Sequence, residues 1–380
     1  MKRIGIIVSA LLAAACSGGM VGRIDAVCSS YFPAGEPGAA VLVLKGDRIV
    51  FDKGYGLANL ETGARITGDT PFNIASVSKQ FTAVAVLQLV EKGLIDLEAP
   101  VSRYFPELKA DIWSKTKVRH LLSHSSGIPD ERGYLTREQK IAGDEYLATE
   151  YLKTLDHLHF EPGTAYEYIN PTFVLCGFLV ERVSGEPFTE YMRKNVFDMA
   201  GMDRTRYFDR DDEDPEAAHG YEFEDVSDMP EERTATDGKG AKEWYEYDYG
   251  EETFFATRPD GGIYTSTREF VKWELALRSH SILSQELTDK AMSPVTLVSG
   301  SPWSDYQNRP NTWYGFGWFI EPATGDSPLR IYHTGDNGGF KILAARYPKE
   351  KVLILVFANR ADWDRYSLFM ELEQAVLGKH

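Results

Sequence analysis

Strand-like segments at both ends of the chain, with helical patterns between them, constrain the fold most. Residues 38–45 (GAAVLVLK) and 48–56 (RIVFDKGYG) have the composition of two strands joined by a tight turn at Gly46 and Asp47. Three further apolar segments, LRIYHTG, GGFKILAARYP and KVLILVFANR, lie near or beyond residue 330. This arrangement predicts one antiparallel sheet built from both ends of the chain.

Helical patterns fill the rest of the chain. The clearest covers residues 76–92, where apolar residues recur at helical spacing and Gly93 provides a stop. Other helices are predicted over residues 22–32, 170–184 and 362–377.

The predicted fold class is therefore α+β, with an antiparallel sheet flanked by helices. The sheet part comprises about residues 22–75 and 255–380, and an all-helical region of about residues 76–254 is inserted between them. A binding site is expected where the two parts meet.

The N-terminus has the pattern of a bacterial export signal. Lys2 and Arg3 are followed by an apolar segment, residues 4–12, and then by small residues before Cys16. We predict that residues 1–16 are a lipoprotein signal, with Cys16 lipidated as the mature N-terminus, and that residues 17–380 form a single domain. The alternative is simple cleavage after Ala15. Either reading predicts export to the periplasm or cell envelope, with membrane contact only through the lipid anchor.

The net charge of the chain limits the kind of partner that it can bind. The net charge of -16 argues against a nucleic-acid partner, because such partners require a basic surface.

Cys28 and Cys176 lie in apolar helical patterns, where they form either a disulfide or two buried thiols. Two buried thiols are favoured, because a hydrophobic core of this size needs no covalent link.

The first motif that carries chemistry is SVSK, which places Ser76 and Lys79 three residues apart at a helix start. Residues at this spacing share a helix face, so the amine can accept the proton of the hydroxyl. A second SxxK occurs at residues 114–117, but no long apolar helix follows it. We therefore take Ser76 as the candidate nucleophile.

The second motif is YIN, with Tyr168 and Asn170 at the start of an apolar helix. A phenol near a lysine can relay protons, and an amide side chain can orient a substrate amide. A similar triplet, YQN, begins at Tyr306, but it lies in a polar segment and is the weaker candidate.

The third motif is His333, Thr334 and Gly335, at the end of a predicted strand. An edge strand at this point can pair with an extended substrate and supply a backbone N–H to an oxyanion. The glycine permits a close approach of the backbone.

Other catalytic classes lack their signatures. No GxSxG occurs, so the nucleophile elbow of α/β-hydrolases is absent from the sequence. The histidine pairs His157–His159 and His120–His124 lack the further ligands of a zinc site and are predicted to be structural. We expect no metal and no organic cofactor.

The order SxxK, YxN, HxG resembles the signature of serine β-lactamases and penicillin-binding proteins. The YxN form is similar to the class C branch and its relatives, which include esterases, DD-peptidases and D-aminopeptidases. LLSHSSGIPD (residues 121–130), PDGGIYTSTREFVKW (residues 259–273) and YGFGW (residues 314–318) also resemble family segments. The resemblance covers about residues 25–378 and implies a β-lactamase/transpeptidase-like fold.

The resemblance also implies roles. Ser76 would be acylated, and Lys79 and Tyr168 would share the proton transfers. Asn170 would hold the substrate amide. The backbone N–H groups of Ser76 and Asp336 would form the oxyanion hole.

His333 and Thr334 would flank the pocket opposite the nucleophile. True β-lactamases carry lysine where this chain has His333, and histidine is only partly charged near neutral pH. This difference favours an ester or amide substrate, small or derived from a peptide or cell wall, over efficient β-lactam hydrolysis. Asp336 is a candidate partner for a substrate amine. Loops at about residues 208–255 and 296–313 are expected to set substrate choice.

Two functions remain open from the sequence. The first is a serine hydrolase that turns over through an acyl-enzyme, as an esterase, a D-amino-acid or DD-peptidase, or a weak β-lactamase. The alternative is a penicillin- or peptidoglycan-binding sensor that is acylated without turnover.

Overall fold

The computed structural model describes residues 19–130, 145–207, 214–225, 242–246, 257–304, 308–325 and 327–378. Cys16, Tyr306 and the acidic residues 208–213 lie outside this range, as does most of the loop at residues 208–255. Within the described residues, no helix has the length and apolar character needed to cross a bilayer.

One eight-stranded sheet forms the centre of the fold. Strands are numbered along the chain, and β3 to β7 belong to two smaller sheets described below. The strands of the central sheet are β1 (Ala39–Lys45), β2 (Arg48–Tyr55), β8 (Thr296–Leu297), β9 (Trp313–Tyr314), β10 (Phe319–Glu321), β11 (Arg330–Asn337), β12 (Phe340–Tyr347) and β13 (Val352–Ala358). Across the sheet they follow the order β2-β1-β13-β12-β11-β10-β9-β8. The two ends of the chain meet at the antiparallel pair β1 and β13, where Ala39 pairs with Ala358 and Lys45 with Val352. The predicted sheet built from both termini is confirmed.

Helices occupy the middle of the chain and its two ends. They are α1 (Met20–Tyr31), α2 (Lys79–Glu91), α3 (Ile112–Lys115), α4 (Val118–Leu122), α5 (Glu145–Thr154), α6 (Asn170–Ser184), α7 (Phe188–Met192), α8 (Asp198–Ala200), α9 (Arg258–Gly261), α10 (Thr267–Arg278), α11 (Gln285–Ala291) and α12 (Arg365–Leu377). Short 3₁₀ turns cover Ala75–Ser78 and Val101–Arg103, and a π-helical turn covers Arg193–Phe197.

The inserted region is not wholly helical, which corrects the prediction for residues 76–254. Strand β4 (Arg206–Tyr207) joins a small sheet with β3 (Phe72–Asn73) and β7 (Ile263–Thr265). Strands β5 (Tyr221–Asp225) and β6 (Lys242–Glu246) form a separate hairpin. The short strands β4 and β7 were missed because two or three residues show no measurable alternation.

The central sheet separates two apolar cores. One face packs against α1 and α12, and the other against the helical region that includes α2 and α6. Because both faces are covered, β13 is buried at every position. Cys28 belongs to the first core and Cys176 to the second, so the sheet keeps the two thiols apart. Both are free and buried, as favoured from the sequence, and burial raises the pKa of Cys28 to about 12.

Candidate active site

Ser76 lies on the single 3₁₀ turn that precedes α2. The sequence predicted one continuous helix, and the tighter turn brings Ser76 and Lys79 almost into line because a 3₁₀ helix has three residues per turn. Every other residue from 71 to 89 is buried, whereas Ser76 is partly exposed. The fold therefore presents this hydroxyl alone from an otherwise inaccessible segment.

The backbone before the nucleophile has a strained conformation. Ala75 has φ of 46°, which is uncommon for a residue with a Cβ. Asn73 stabilises it: its Oδ1 accepts the N–H of Ala75 at 2.8 Å and a side-chain N–H of Asn337 at 3.1 Å. One buried amide thus connects the serine turn to β11.

Lys79 is completely buried, and its amine is held at two points. Its Nζ lies 3.0 Å from Ser76 Oγ and 2.9 Å from the backbone carbonyl of Asp260. The aromatic rings of Tyr168 and Phe173 lie 5.0 and 5.7 Å from it. The amine is therefore within reach of the Ser76 hydroxyl for proton transfer.

Tyr168 and Asn170 lie at the start of α6, as predicted. Tyr168 stands beside Lys79, while Asn170 is the first residue of the helix and Pro171 follows it at a position where the missing N–H costs nothing. The Oδ1 of Asn170 has no hydrogen-bond partner among the residues that the structure describes. Asn170 as a whole is partly exposed, so its amide lies at the edge of the site with an unused acceptor.

His124, in the LLSHSSGIPD segment, packs behind the tyrosine. The two ring centroids are 4.3 Å apart, and His124 Nδ1 accepts the N–H of Ile169 at 3.2 Å. Burial, with Lys79 and His333 nearby, lowers the pKa of His124 well below its usual value. The neutral ring holds the backbone between Tyr168 and Asn170 in place.

Strand β11 passes directly against the serine turn. A Cβ added to Gly335 would lie 2.5 Å from the carbonyl oxygen of Ile74 and 3.2 Å from the nitrogen of Ser76, so only glycine fits. Strand β10 pairs with β11 over Arg330–Tyr332 and no further along the described residues. The segment with His333, Gly335 and Asp336 thus has a sheet edge toward the nucleophile, as predicted.

His333 is fully buried, which corrects the sequence-based expectation of a partly charged imidazole. Burial and the nearby Lys79 lower the pKa of His333 to about 3. Its Nδ1 lies 2.6 Å from the carbonyl oxygen of Thr334 and must donate to it, which leaves Nε2 to accept the hydroxyl hydrogen of Tyr314 at 2.9 Å. The imidazole is neutral and supports the wall of the site.

The side chains of Thr334 and Asp336 alternate to the other face of β11. Thr334 lines a separate cavity of about 240 Å³ together with Arg309 and Arg365. The Asp336 carboxylate pairs with Arg365 at 2.7 Å, and the same guanidinium donates to the carbonyl of Gly335 at 3.0 Å. Asp336 is therefore already paired with a cation. Thr334 was expected to flank the pocket opposite Ser76, but its side chain lies on the other face of β11.

The rejected candidates are structural in the described residues. Ser114 of the second SxxK is exposed and bonds the carbonyl of Asp111. His120 Nδ1 accepts the N–H of Lys117, and His159 pairs with Glu167. No group of three or more metal-ligating side chains occurs in the part of the chain that the structure describes.

Three supporting residues were missed from the sequence: Asn73, Tyr314 and Arg365. Tyr314 belongs to the quoted YGFGW segment, but nothing in its spacing indicated a bond to His333. Asn73 lies in PFNIA, directly before the SVSK motif, and belongs to none of the motifs. Each acts on a partner far away in the chain, which local patterns do not reveal.

Known proteins resemble this chain along nearly its full length. Penicillin-binding protein 4* of Bacillus subtilis is 26% identical over 345 residues, covering 89% of this chain and 70% of the relative. The chain spans 62% of the length of the Staphylococcus aureus protein Flp, at 23% identity.

Two solved structures have the same fold. An octameric penicillin-binding protein homologue from Pyrococcus abyssi is 25% identical, with a TM-score of 0.74 over 98% of this chain and 77% of that one. A D-amino acid amidase from Ochrobactrum anthropi, 22% identical, superposes with a TM-score of 0.73 over 97% of this chain and 99% of that one. The family model described as Beta-lactamase matches residues 30–377, so the chain belongs to the Beta-lactamase family.

Proposed function

We propose that this protein is a serine hydrolase that cleaves an ester or amide through an acyl-enzyme on Ser76. The observation that carries the proposal is the 3.0 Å contact between Lys79 Nζ and Ser76 Oγ, since Ser76 is the one partly exposed residue among buried residues 71–89. A hydroxyl becomes a competent nucleophile only with such a base in reach.

The acylation step assigns one task to each group. Lys79, in its neutral form, takes the proton of Ser76 as Oγ attacks the carbonyl carbon, and the carbonyl oxygen becomes an oxyanion. The backbone N–H groups of Ser76 and Asp336 stabilise that charge. They can do so together because Gly335 has no side chain and lets β11 approach the serine turn closely. The oxyanion then collapses to a carbonyl and breaks the bond to the leaving alcohol or amine, which receives the proton by way of Tyr168. Water later hydrolyses the ester on Ser76, which releases the carboxylic acid and restores the hydroxyl.

A substrate amide has a place at Asn170. Its unpartnered Oδ1 accepts the amide N–H of an acylamino group on the substrate, which would orient the carbonyl toward Ser76. This arrangement favours peptide-like acyl groups, and the fold shared with a D-amino acid amidase is consistent with it.

Efficient β-lactam hydrolysis is disfavoured by the neutral His333. A buried imidazole with a pKa of about 3 offers no cation for the carboxylate of a β-lactam. Because the Asp336 carboxylate is already paired with Arg365, it is not proposed to bind a substrate amine.

A fluorophosphonate probe tests the nucleophile. We expect the intact mass of the mature protein to rise by one adduct, and Ser76→Ala to remain unlabelled while it stays folded. Ser114→Ala is the matched control, because it removes the exposed serine of the other SxxK and should label like wild type. Labelling that survives in Ser76→Ala would contradict the proposal.

Turnover separates the hydrolase from the sensor. p-Nitrophenyl esters, D-amino amides and a chromogenic cephalosporin would be followed past one equivalent of product. Continued release supports the hydrolase, whereas a single stoichiometric burst supports the binding or sensor protein. The position of Tyr168 beside Lys79 favours turnover.

A further inference from the structure

Two neighbouring turns at one end of the central sheet are rich in basic residues. Exposed Lys45 and Arg48 flank the turn between β1 and β2, and exposed Lys349 and Lys351 lie in the turn between β12 and β13. The two turns are in contact, because the N–H of Gly46 donates to the carbonyl of Lys351 at 2.8 Å. We call the surface formed by residues 45–48 and 348–351 the basic end.

The carboxylates of these turns do not cancel their positive charge. Asp47 and Glu350 are the acidic residues of the basic end, so its four basic and two acidic side chains leave a net charge of +2. The chain as a whole carries -16. The basic end therefore differs in sign from the molecule to which it belongs.

Carboxylates deeper at this end of the sheet are matched by arginines. Arg330, the first residue of β11, is bonded to both Glu321 and Glu373. Glu274 is bonded to two arginines, one of which is Arg278. These three carboxylates face three guanidiniums, so they leave the excess charge on the turns unchanged.

Helix α12 runs from the active-site end of the sheet to the basic end. Its first residue, Arg365, donates to the carbonyl of Gly335, which touches the serine turn. Near its other end, Glu373 accepts the hydroxyl hydrogen of Tyr347 at 2.7 Å, and Tyr347 is the last residue of β12 before the basic turn. The basic end and the nucleophile therefore lie toward opposite ends of a helix that is roughly 18 Å long.

Helix α1 begins at the same end as the basic turns. Arg23, in its first turn, donates to the carbonyl of Ala375 near the end of α12 at 3.0 Å. Residues 17–19 alone separate the predicted lipidation site, Cys16, from the first helical residue, Met20. Four residue steps reach at most roughly 14 Å. A lipid on Cys16 would therefore hold this end of the domain close to the bilayer.

Exposed apolar side chains accompany the charges. Val21, in the first turn of α1, is 51% exposed, and Ile49, next to Arg48 on β2, is 45% exposed. Protein surfaces that lie on a membrane combine lysine and arginine with apolar side chains, which enter the boundary between headgroups and acyl chains. The composition of this end matches that pattern.

We propose that the basic end lies on a membrane of anionic phospholipid and places Ser76 on the side of the domain remote from the bilayer. Anionic headgroups attract the basic end and repel the acidic remainder of the surface, which selects one orientation. From the sequence, the lipid anchor was expected to be the only membrane contact, and the basic end adds a second. The inference uses the predicted attachment at Cys16 and is independent of the chemistry at Ser76.

Lysine acetylation on vesicles tests the orientation. The unlipidated mature chain is coupled through Cys16 to a maleimide lipid, which spares the two buried thiols. We expect Lys45 and Lys349 to react about fivefold more slowly on phosphatidylglycerol than on phosphatidylcholine vesicles. Lys53, whose side chain is 46% exposed further along β2, should react equally on both. Equal rates for Lys45 and Lys349 on the two kinds of vesicle would overturn the proposal.

Charge reversal identifies the residues that bind. In the uncoupled, unlipidated chain at low ionic strength, Arg48→Glu should reduce co-sedimentation with phosphatidylglycerol vesicles about tenfold. Arg65→Glu should bind like wild type and is the matched control. Arg65 is also an exposed arginine, but it lies beside the opposite end of β2, where the carbonyl of Ile66 packs against Gly54. Equal losses in the two variants, or a wild type that sediments no better with phosphatidylglycerol than with phosphatidylcholine, would refute the proposal.

Discussion

At the scale of single residues, Asn73 has no chemistry of its own and yet sets the geometry of the nucleophile. Its side chain holds the strained Ala75 and reaches across to Asn337 on β11. A turn with positive φ persists only where its surroundings enforce it. The reactivity of Ser76 therefore depends on an amide that never meets the substrate.

Replacing Asn73 by alanine should slow acylation more than it disturbs the fold. We expect a loss of about 1–3 kcal/mol of unfolding free energy and a fall of about tenfold or more in the rate of fluorophosphonate labelling, as a barrier increase of about 1.4 kcal/mol gives. Gln88→Ala is the matched control: it also removes a buried, hydrogen-bonded amide, here bonded to two backbone carbonyls and to Tyr191, but at the far end of α2. Equal labelling rates in the two variants would show that Asn73 only supports the fold.

The buried His333 should make the free energy of unfolding depend on pH. Its folded pKa of about 3 lies below the ordinary value of 6.5, so between these values the unfolded chain binds a proton that the folded chain does not. The stability it contributes is complete above about pH 6.5 and is lost as the pH falls toward 3, by about 2 kcal/mol at pH 5.

Urea unfolding of wild type and His333→Gln at pH 8 and pH 5 measures this difference. The variant should lose less stability on acidification than wild type, although His124 still titrates in both. An identical loss in the two proteins would mean that His333 is not the buried neutral group described above.

At the scale of elements, the contact between β11 and the serine turn depends on the absence of a side chain at position 335. Gly335→Ala would drive a methyl group against the carbonyl of Ile74, and β11 would have to move away from Ser76. We expect labelling of Ser76 to fall about 100-fold, because small displacements of catalytic groups are that costly.

A second glycine provides the control for this prediction. Gly22 lies within α1, and a Cβ there would meet nothing within 4 Å. Gly22→Ala should label normally and gain up to about 1 kcal/mol of stability from improved helix propensity. Loss of labelling in both variants would point to a general effect of the substitutions.

At the scale of the whole molecule, the predicted lipid anchor at Cys16 remains a proposal, since this residue lies outside the described range. We expect the protein to incorporate an alkyne-labelled palmitate and to sediment with membranes, and Cys16→Ser to lose both properties. Cys28→Ser should keep them, because that thiol is buried in the folded domain. An unlabelled, soluble wild type that begins at Cys16 would support simple cleavage after Ala15.

Features that depend on neighbours along the chain could be predicted from the amino-acid pattern. Period-two and helical patterns located the terminal strands and the long helices, because backbone geometry fixes which positions share a face. The three-residue spacing placed Lys79 beside Ser76 for the same reason. The family signature could be read from short motifs and was confirmed by the match over residues 30–377.

The contacts between distant parts of the chain became visible in the folded molecule. Folding buries His333 beside Tyr314, and burial makes the imidazole neutral. It also pairs Asp336 with Arg365 and places Cys28 and Cys176 on opposite sides of the sheet. It also connected Asn73 to β11. Burial, charge and hydrogen-bond partners arise from contacts between residues far apart in the chain, and no local periodicity records them.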